Sequence, residues 1–309
     1  MNQQPSISVL LPCFNEEVAI AGVIRSFRLS LPEARIFVCD NNSTDNTANI
    51  AKAAGAEVIF EPLQGKGNSV RRLFADIEAD IYILADGDGT YDASHAPQLI
   101  DELVSNNLDM VAASRVSRGE IDTYRAGHQF GNKLISRIIA RLFGNQFKDV
   151  LTGYRVFSRR FIKSFPALSS GFEIETEIVI HALELRIPTS EVDTDYQARP
   201  KGSTSKLSTY KDGMRILLTI IQLFKEVRPL LFFTAIFSVL SLTSIALAWP
   251  ILMTYFETGF VPRFPTAILS TGLMILAFIS LTCGIILDSV TRARCELRRL
   301  FYNNSLPRS

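Results

Sequence analysis

Two carboxylates one residue apart, Asp86 and Asp88 with Gly87 between them, follow the apolar run Ile81-Tyr82-Ile83-Leu84-Ala85. A strand ending in such a turn can point both acids at one hard cation. Mg2+ or Mn2+ held by one or two carboxylates completes its shell with water and phosphate oxygens, and a metal held so neutralises a diphosphate leaving group. An Asp-Gly pair is also ordinary turn chemistry; its position after a buried strand is what favours the metal. Another acid, Asp40, closes the run Ile36-Phe37-Val38-Cys39 and opens Asp40-Asn41-Asn42-Ser43-Thr44-Asp45. Asp40 is suited to accept hydrogen bonds from a nucleobase or ribose, while Asp45 reads as a helix N-cap. Lys66, between Gly65 and Gly67, can reach a phosphate or can be a solvated loop lysine.

The elements that must position these groups are legible in the first 115 residues. Ile7–Leu11, 36–39, 58–60, 81–85 and 110–113 read as short strands that are apolar throughout. Between them, 16–27, 44–54, 68–77 and 95–106 have helical patterning. Apolar strands separated by helices imply an α/β fold with a mostly parallel sheet covered on both faces. Ligands of such sheets bind outside the carboxyl ends of the strands. Asn15-Glu16, Asp40 and Asp86-Gly87-Asp88 all fall there. No GxGxxG follows a strand, and Gly65-Lys66-Gly67 lacks the Walker spacing, so neither familiar phosphate loop is present.

The 309 residues are 47% hydrophobic and 20% charged, which excludes a mostly disordered chain. A net charge of +1 gives no sign of a nucleic-acid partner. Cys13, Cys39, Cys283 and Cys295 form no CxxC pair, which argues against a disulfide framework or a zinc site. The apolar excess lies near the C-terminus. Leu230–Trp249 is twenty residues without a charge and Thr266–Leu287 is twenty-two, each long enough to cross a bilayer core of about 30 Å. The connector 250–265 holds only Glu257 and Arg263, so the two spans are expected to form a hairpin. Lys225 and Arg228 precede it, and Arg292, Arg294, Arg298 and Arg299 follow it. The positive-inside rule then places both termini in the cytoplasm. The N-terminus reads as lacking a signal peptide. Residues 207–228 read as an amphipathic helix, at the membrane surface or packed on the soluble part. The expected organisation is a cytoplasmic domain over 1–206, the amphipathic segment 207–228, a hairpin over 229–288 and a basic tail over 289–309.

The ordered set Pro12-Cys13-Phe14-Asn15-Glu16-Glu17, Asp40 to Thr47, Gly65-Lys66-Gly67 and Asp86-Gly87-Asp88 resembles the nucleotide-sugar domain of the family 2 glycosyltransferases. Asp149-Val150-Leu151-Thr152-Gly153-Tyr154-Arg155 and the stretch from Arg199 to Leu207 resemble its polyprenyl-phosphate branch, typified by dolichol-phosphate mannose synthase. The resemblance covers about residues 6 to 228. It implies a GT-A-like fold. It implies that Pro12, Asn15, Glu16, Asp40, Lys66, Asp86, Gly87 and Asp88 bind the nucleotide-sugar, with Asp86 and Asp88 holding Mg2+ or Mn2+. It implies that Arg115, Thr152, Arg155, Arg199 and Lys206 receive the acceptor phosphate, Arg199 and Lys206 on a stretch that closes over the site. Asp88, Arg115 and Arg155 are its catalytic candidates. Three features depart from the pattern. Asp-Asp-Gly-Ser is here Asp40-Asn41-Asn42-Ser43, the basic motif is one residue longer, and the glutamine usual after the second metal aspartate is Thr90.

A phosphate monoester has its second pKa near 6 and is already largely an anion at neutral pH. It needs no general base, only cations that hold it and a metal on the leaving diphosphate. Clustered arginines suit that capture. The expected reaction is direct displacement with inversion at the anomeric carbon, from a UDP-hexose or UDP-N-acetylhexosamine, with GDP-mannose left open. His95, His128 and His181 are read as structural. Glu173 and Glu175 are read as organising the acceptor side or starting a helix. The implied partners are a nucleotide-sugar, a polyprenyl phosphate and the inner membrane, with self-association left open. Three rivals stand beside this: a processive polysaccharide synthase, an anchored transferase with a non-lipid acceptor, and a non-catalytic scaffold.

Overall fold

The structure is a computed structural model that describes residues 5–116, 147, 149–197, 218, 221–222 and 224–304. The chain divides into two compact units, Met1–Ile216 with Arg298–Ser309, and Leu217–Leu297.

The first unit is an α/β domain. Its described elements run β1 (Ile7–Cys13), α1 (Ile20–Ser30), β2 (Arg35–Asp40), α2 (Thr47–Ala53), β3 (Glu57–Phe60), α3 (Lys66–Asp76), β4 (Ile81–Leu84), α4 (Ala96–Ser105) and β5 (Met110–Val116). Then come β6 (Arg155–Ser158), α5 (Arg159–Ser164), α6 (Ile174–Leu185) and β7 (Thr189–Asp195). Seven strands among the described residues form one sheet in the order β3-β2-β1-β4-β6-β5-β7. β1 pairs in parallel with β2 and β4, and β2 with β3. β6 is antiparallel to both β4 and β5, and β5 and β7 are parallel. The inserted β6 was not expected from the apolar pattern, because its first residue is an arginine.

The core is built where the expected strands lie. Val9, Leu11, Val38, Ile83 and Val111 are buried in one cluster with Ile20, Ile24 and Phe27 of α1. Ile20, Ile24 and Phe27 recur at spacings of four and three, so one helical stripe faces the sheet. Pro12 sits inside β1 without breaking the sheet. The β1–β4 pairing ends at Leu10↔Leu84, so Pro12 lies beyond its last β4 partner, where a missing backbone donor costs little. The helices begin later or earlier than their apolar pattern suggests. α1 starts at Ile20 because residues 15–19 form a turn, and α3 starts at Lys66, so Gly65-Lys66-Gly67 is its entry and first turn.

The second unit carries two long helices, α7 (Pro229–Thr258) and, as far as Leu297, α8 (Phe264–Asn304). Both have a mean hydropathy of 2.2 over their most apolar window, and only 6% and 11% of those windows is buried. A soluble core helix would be covered; these could span a membrane. The helices extend through most of the expected connector, leaving 259–263 between them. Gly259 closes α7 in the left-handed region at φ 71°. Small residues seal the hairpin. Ser244 Oγ donates to the Ser270 carbonyl at 2.6 Å and Ser280 Oγ to that of Phe233 at 3.3 Å. α8 runs on to Asn304, so most of the expected basic tail is helix. Of the expected amphipathic segment 207–228, only 218, 221–222 and 224–228 lie among the described residues.

Candidate active site

The site lies at the carboxyl ends of β1, β2 and β4. After β1, Asn15 takes a left-handed conformation at φ 54°, which asparagine tolerates better than most residues. Its N–H donates to Ser43 Oγ at 3.0 Å, and its Oδ1 accepts the Thr44 N–H at 2.8 Å. The Glu16 N–H donates to Thr47 Oγ1 at 2.8 Å. Asn15 and the buried Glu16 therefore lock the turn after β1 onto the turn after β2.

The Asp40-Asn41-Asn42-Ser43 departure has a physical reason. Asn42 sits at φ 60°, the region for which glycine is the usual choice. The Asn41 amide donates to the carbonyls of Glu61 and Leu63 at 3.2 and 2.7 Å, and its Oδ1 accepts the Gly65 N–H at 2.6 Å. Asn41 thus fixes the loop that leads into Gly65-Lys66-Gly67. Asp40 is buried, and its Oδ1 has no hydrogen-bond partner among the described residues. An orphaned buried acceptor costs about 1–3 kcal/mol, a cost that a donor on a ligand would remove.

Glycine at 65 and 67 is required by close approach. A Cβ at Gly65 would lie 2.2 Å from the Ser170 carbonyl oxygen, and one at Gly67 2.1 Å from that of Ser169. Glu177 holds this stretch by accepting the N–H groups of Leu168 and Ser169 at 2.9 and 2.8 Å. The first turn of α3 slides against it and carries Lys66 inward. Lys66 is not a solvated loop lysine; its side chain is 9% exposed. Its ammonium pairs with Asp86 and, at 2.6 Å, with Glu175 Oε1. Burial alone would favour the neutral amine, but the charges of Asp86 and Glu175 outweigh it and hold the group protonated. Gly153 leaves room for the pair, since a Cβ there would lie 2.6 Å from Asp86 Oδ2 and 2.8 Å from Lys66 Nζ.

The turn Asp86-Gly87-Asp88 packs on β1 so tightly that a Cβ at Gly87 would lie 2.3 Å from Cys13 Sγ. Asp88 is buried, and its Oδ1 accepts the Thr90 N–H at 3.1 Å and the Thr90 hydroxyl at 2.6 Å. Thr90, where glutamine is usual, orients that carboxylate. No group of three or more acids, histidines or cysteines suited to a metal occurs among the described residues. Two carboxylates suit a divalent ion that takes its other ligands from phosphate and water. The residues therefore fit a metal arriving with a diphosphate and do not form a closed resident site.

The two described arginines of the expected set, Arg115 and Arg155, have different surroundings. Arg155 is fully buried. It donates to the carbonyls of Val150 and Glu175 at 2.7 and 3.1 Å and faces the Glu175 carboxylate at 3.5 Å. Burial lowers its pKa, with Glu175 and Asp149 opposing. In this geometry the guanidinium braces Val150 against the start of α6, a structural contact that stands beside the acceptor and catalytic role expected of Arg155. Thr152 is likewise buried and donates to the Ala113 carbonyl at 2.7 Å. Arg115 remains partly exposed, with two hydrogen bonds to Asp149 at 2.6 and 2.8 Å and the Tyr196 ring 5.5 Å from its guanidinium carbon. Arg199 and Lys206 lie outside the described residues, as does His128. The chain ahead of Arg199 is anchored at the site, for the Gln197 N–H donates to the Thr90 carbonyl at 2.9 Å and Tyr196 bridges Tyr91.

Sequence reasoning missed the bracing roles of Glu175, Asp149, Asn41 and Tyr91, whose hydroxyl accepts the Gly153 N–H at 2.7 Å. The glutamate pair Glu173 and Glu175 carried a signal, but not the distinction that only Glu175 is buried against Lys66.

A strand-end acidic turn beside a second acid-tipped strand, on a mostly parallel sheet, is the framework of a GT-A-like nucleotide-sugar transferase. The model for "Glycosyl transferase family 2" matches residues 8–165, and the chain belongs to that family. It is 34% identical over 244 residues to the glycosyltransferase AglJ of Haloferax volcanii, covering 79% of this chain and 80% of that one. It is 26% identical over 223 residues to a dolichyl-phosphate hexose transferase of the same organism, covering 72% and 95%. Its fold is similar to that of glucosyl-3-phosphoglycerate synthase from Mycobacterium tuberculosis. That enzyme was solved with Mn2+, UDP and glucosyl-3-phosphoglycerate; its TM-score is 0.57 at 24% identity, covering 70% of this chain and 80% of that one. The protein is a glycosyltransferase.

Proposed function

We propose that this glycosyltransferase moves one sugar, with inversion and with Mg2+ or Mn2+, from a UDP-sugar to a polyprenyl phosphate. The observation that carries this reading is the pairing of the Asp86-Gly87-Asp88 turn with two long apolar helices in one chain. The likeness to a dolichyl-phosphate hexose transferase supports the lipid acceptor. The orphaned Asp40 Oδ1 supports a base that donates a ring N–H, and the UDP bound by the structural relative supports uracil.

In this reading the bound metal neutralises the diphosphate as it leaves. Asp88, oriented by Thr90, and Asp86 hold that metal. Asn15 and Glu16 hold the nucleotide pocket in shape from below, and Pro12 and Gly87 let the chain approach it closely. Lys66 supplies a fixed cation beside the diphosphate. Arg115 is the arginine of the described residues assigned to the acceptor phosphate, with Arg199 and Lys206 following Gln197. The acceptor is already ionised, so the chain need not remove a proton. Residues 1–206 form the cytoplasmic domain, 207–228 an interfacial segment, 229–288 the hairpin and 289–309 a basic cytoplasmic tail, helical as far as Asn304. Basic residues at both ends of the hairpin support this orientation.

The test is mass spectrometry of lipid after incubating the full chain in membranes with polyprenyl phosphate and a panel of nucleotide-sugars. The expected result is a lipid one sugar heavier, lost on chelation. Absence of any lipid-linked sugar, or an undiminished rate without metal, overturns the proposal. Phosphoglyceric acid belongs in the panel, because the structural relative was solved with the glucosylated form of that non-lipid phosphate.

A further inference from the structure

The ammonium of Lys66 already sits on the carboxylate assigned to the metal. It touches Asp86, is anchored at 2.6 Å by Glu175, and is 9% exposed. The arrangement is built rather than incidental. Gly65 and Gly67 admit the first turn of α3 only because neither has a side chain, and Gly153 keeps the space beside Lys66 Nζ and Asp86 Oδ2 clear. Arg155, fully buried, faces the other Glu175 oxygen at 3.5 Å. Asp86 and Glu175 are thus paired with two fixed cations, Lys66 and Arg155, before any ligand arrives.

We infer that Lys66 is a resident counter-cation that keeps a divalent metal off Asp86 until a nucleotide diphosphate arrives with it, so that metal and nucleotide bind as one unit. This rests on the metal role given to Asp86 and Asp88 above. A bare divalent ion entering the site meets a fixed positive charge within a few ångströms and must share Asp86 with it. A metal–diphosphate complex carries little net charge, and its oxygens give the ammonium a new partner while Glu175 retains it. Coupling of this kind is reciprocal, so the metal strengthens nucleotide binding by the factor by which the nucleotide strengthens metal binding. The device separates this site from a resident metal centre, and it would keep free cytoplasmic cations from occupying a site that has no donor.

The test is Mn2+ binding to the full chain in detergent, read from the free-ion paramagnetic resonance signal with and without UDP. In the wild type, UDP should tighten Mn2+ binding at least tenfold. Lys66→Met should bind Mn2+ without UDP at least tenfold more tightly than the wild type, and UDP should then add much less. Lys66→Arg, which keeps the charge, should behave as the wild type does. If the methionine variant does not fold, Lys66→Gln reads the same property, since it removes the charge and keeps a hydrogen-bond donor. Unchanged or weaker Mn2+ binding in the neutral variants, with UDP coupling intact, overturns the inference and leaves the metal assignment standing. Failure of the wild type to bind Mn2+ even with UDP overturns both.

Discussion

Residues 7–116 and residues 149–195 contribute charged groups to one site, yet they use charge in opposite ways. In the first stretch Asp40, Lys66, Asp86 and Asp88 stand at strand ends or on the first turn of a helix, where the backbone stops and a ligand can approach. In the second, Arg155, Glu175, Glu177 and His181 are all buried, and their partners are backbone groups, the Ser164 hydroxyl, one another and, for Glu175, Lys66. The difference teaches that neither residue type nor burial separates a ligand-binding group from a brace; placement does, at a strand's carboxyl end or a helix's first residue on one side and within β6 and α6 on the other. Arg155 and Arg115 share a motif-level expectation, and the antiparallel β6 puts the first inside the sheet while Arg115 near the end of β5 stays partly open.

The largest expected effect lies in the first stretch. Asp88→Ala should cut turnover at least about 100-fold, the scale for losing one preorganised electrostatic group, while the thermal midpoint stays within a few degrees. Glycosyl transfer assays beside thermal unfolding check this. A variant that keeps activity, or one that loses activity only because it unfolds, would erase the contrast between the two stretches.

Arg155→Ala should behave in the reverse manner. Removing one partner of a buried ion pair costs about 3–5 kcal/mol, here with two carbonyls and the Glu175 carboxylate left behind. The expected outcome is lost folding stability, measured by denaturant unfolding, with any folded fraction retaining its KM for the acceptor. A stable variant with a raised acceptor KM would return Arg155 to the ligand and make the stretches alike.

Gly67→Ala tests the seam where they meet. Its Cβ would fall 2.1 Å from the Ser169 carbonyl oxygen, which is backbone and held by Glu177. Overpacking of this kind costs about 1–3 kcal/mol. Because α3 carries Lys66, nucleotide affinity should fall along with stability, as calorimetric titration with UDP can show. A stability loss with unchanged UDP affinity would mean that the seam does not position Lys66.

What the sequence could reveal follows the same division. The five parallel-type strands were legible because Ile81–Leu84 and its neighbours are apolar on both faces, as a covered sheet demands. The acidic turns were legible because they break such runs. β6 was not, since Arg155 reads as polar until Val150, Glu175 and the rest of the chain are folded around it. Glu175 met the same obstacle, for its partner Lys66 lies 109 positions earlier and no local spacing links them. Asn42 shows a milder case. The resemblance marked it as a departure from the family pattern, and the structure shows a backbone requirement at φ 60° that asparagine also meets.

His181 offers the smallest effect at neutral pH and the sharpest on acidification. It lies in the second stretch, 2% exposed. Its Nε2 is 3.1 Å from Ser164 Oγ, and its ring sits between Phe161 and Phe165 at 5.4 and 5.3 Å. Burial, with Arg298 adding its charge, pushes its pKa down to about 3. The unfolded chain, with an ordinary histidine pKa near 6.5, then binds a proton that the folded chain refuses. Stability from this group is complete above about pH 6.5 and is lost as pH falls toward 3, at up to about 1.4 kcal/mol per unit. His181→Gln should therefore lose less stability than the wild type between pH 7 and pH 5, by about 2 kcal/mol, while the two respond alike between pH 7 and pH 8. Parallel curves in denaturant unfolding across the acid range would show that the ring takes up a proton in place. Residues 149–195 would then carry a responsive group as well as braces, and the contrast with the strand-end acids would rest on Arg155 and Glu175 alone.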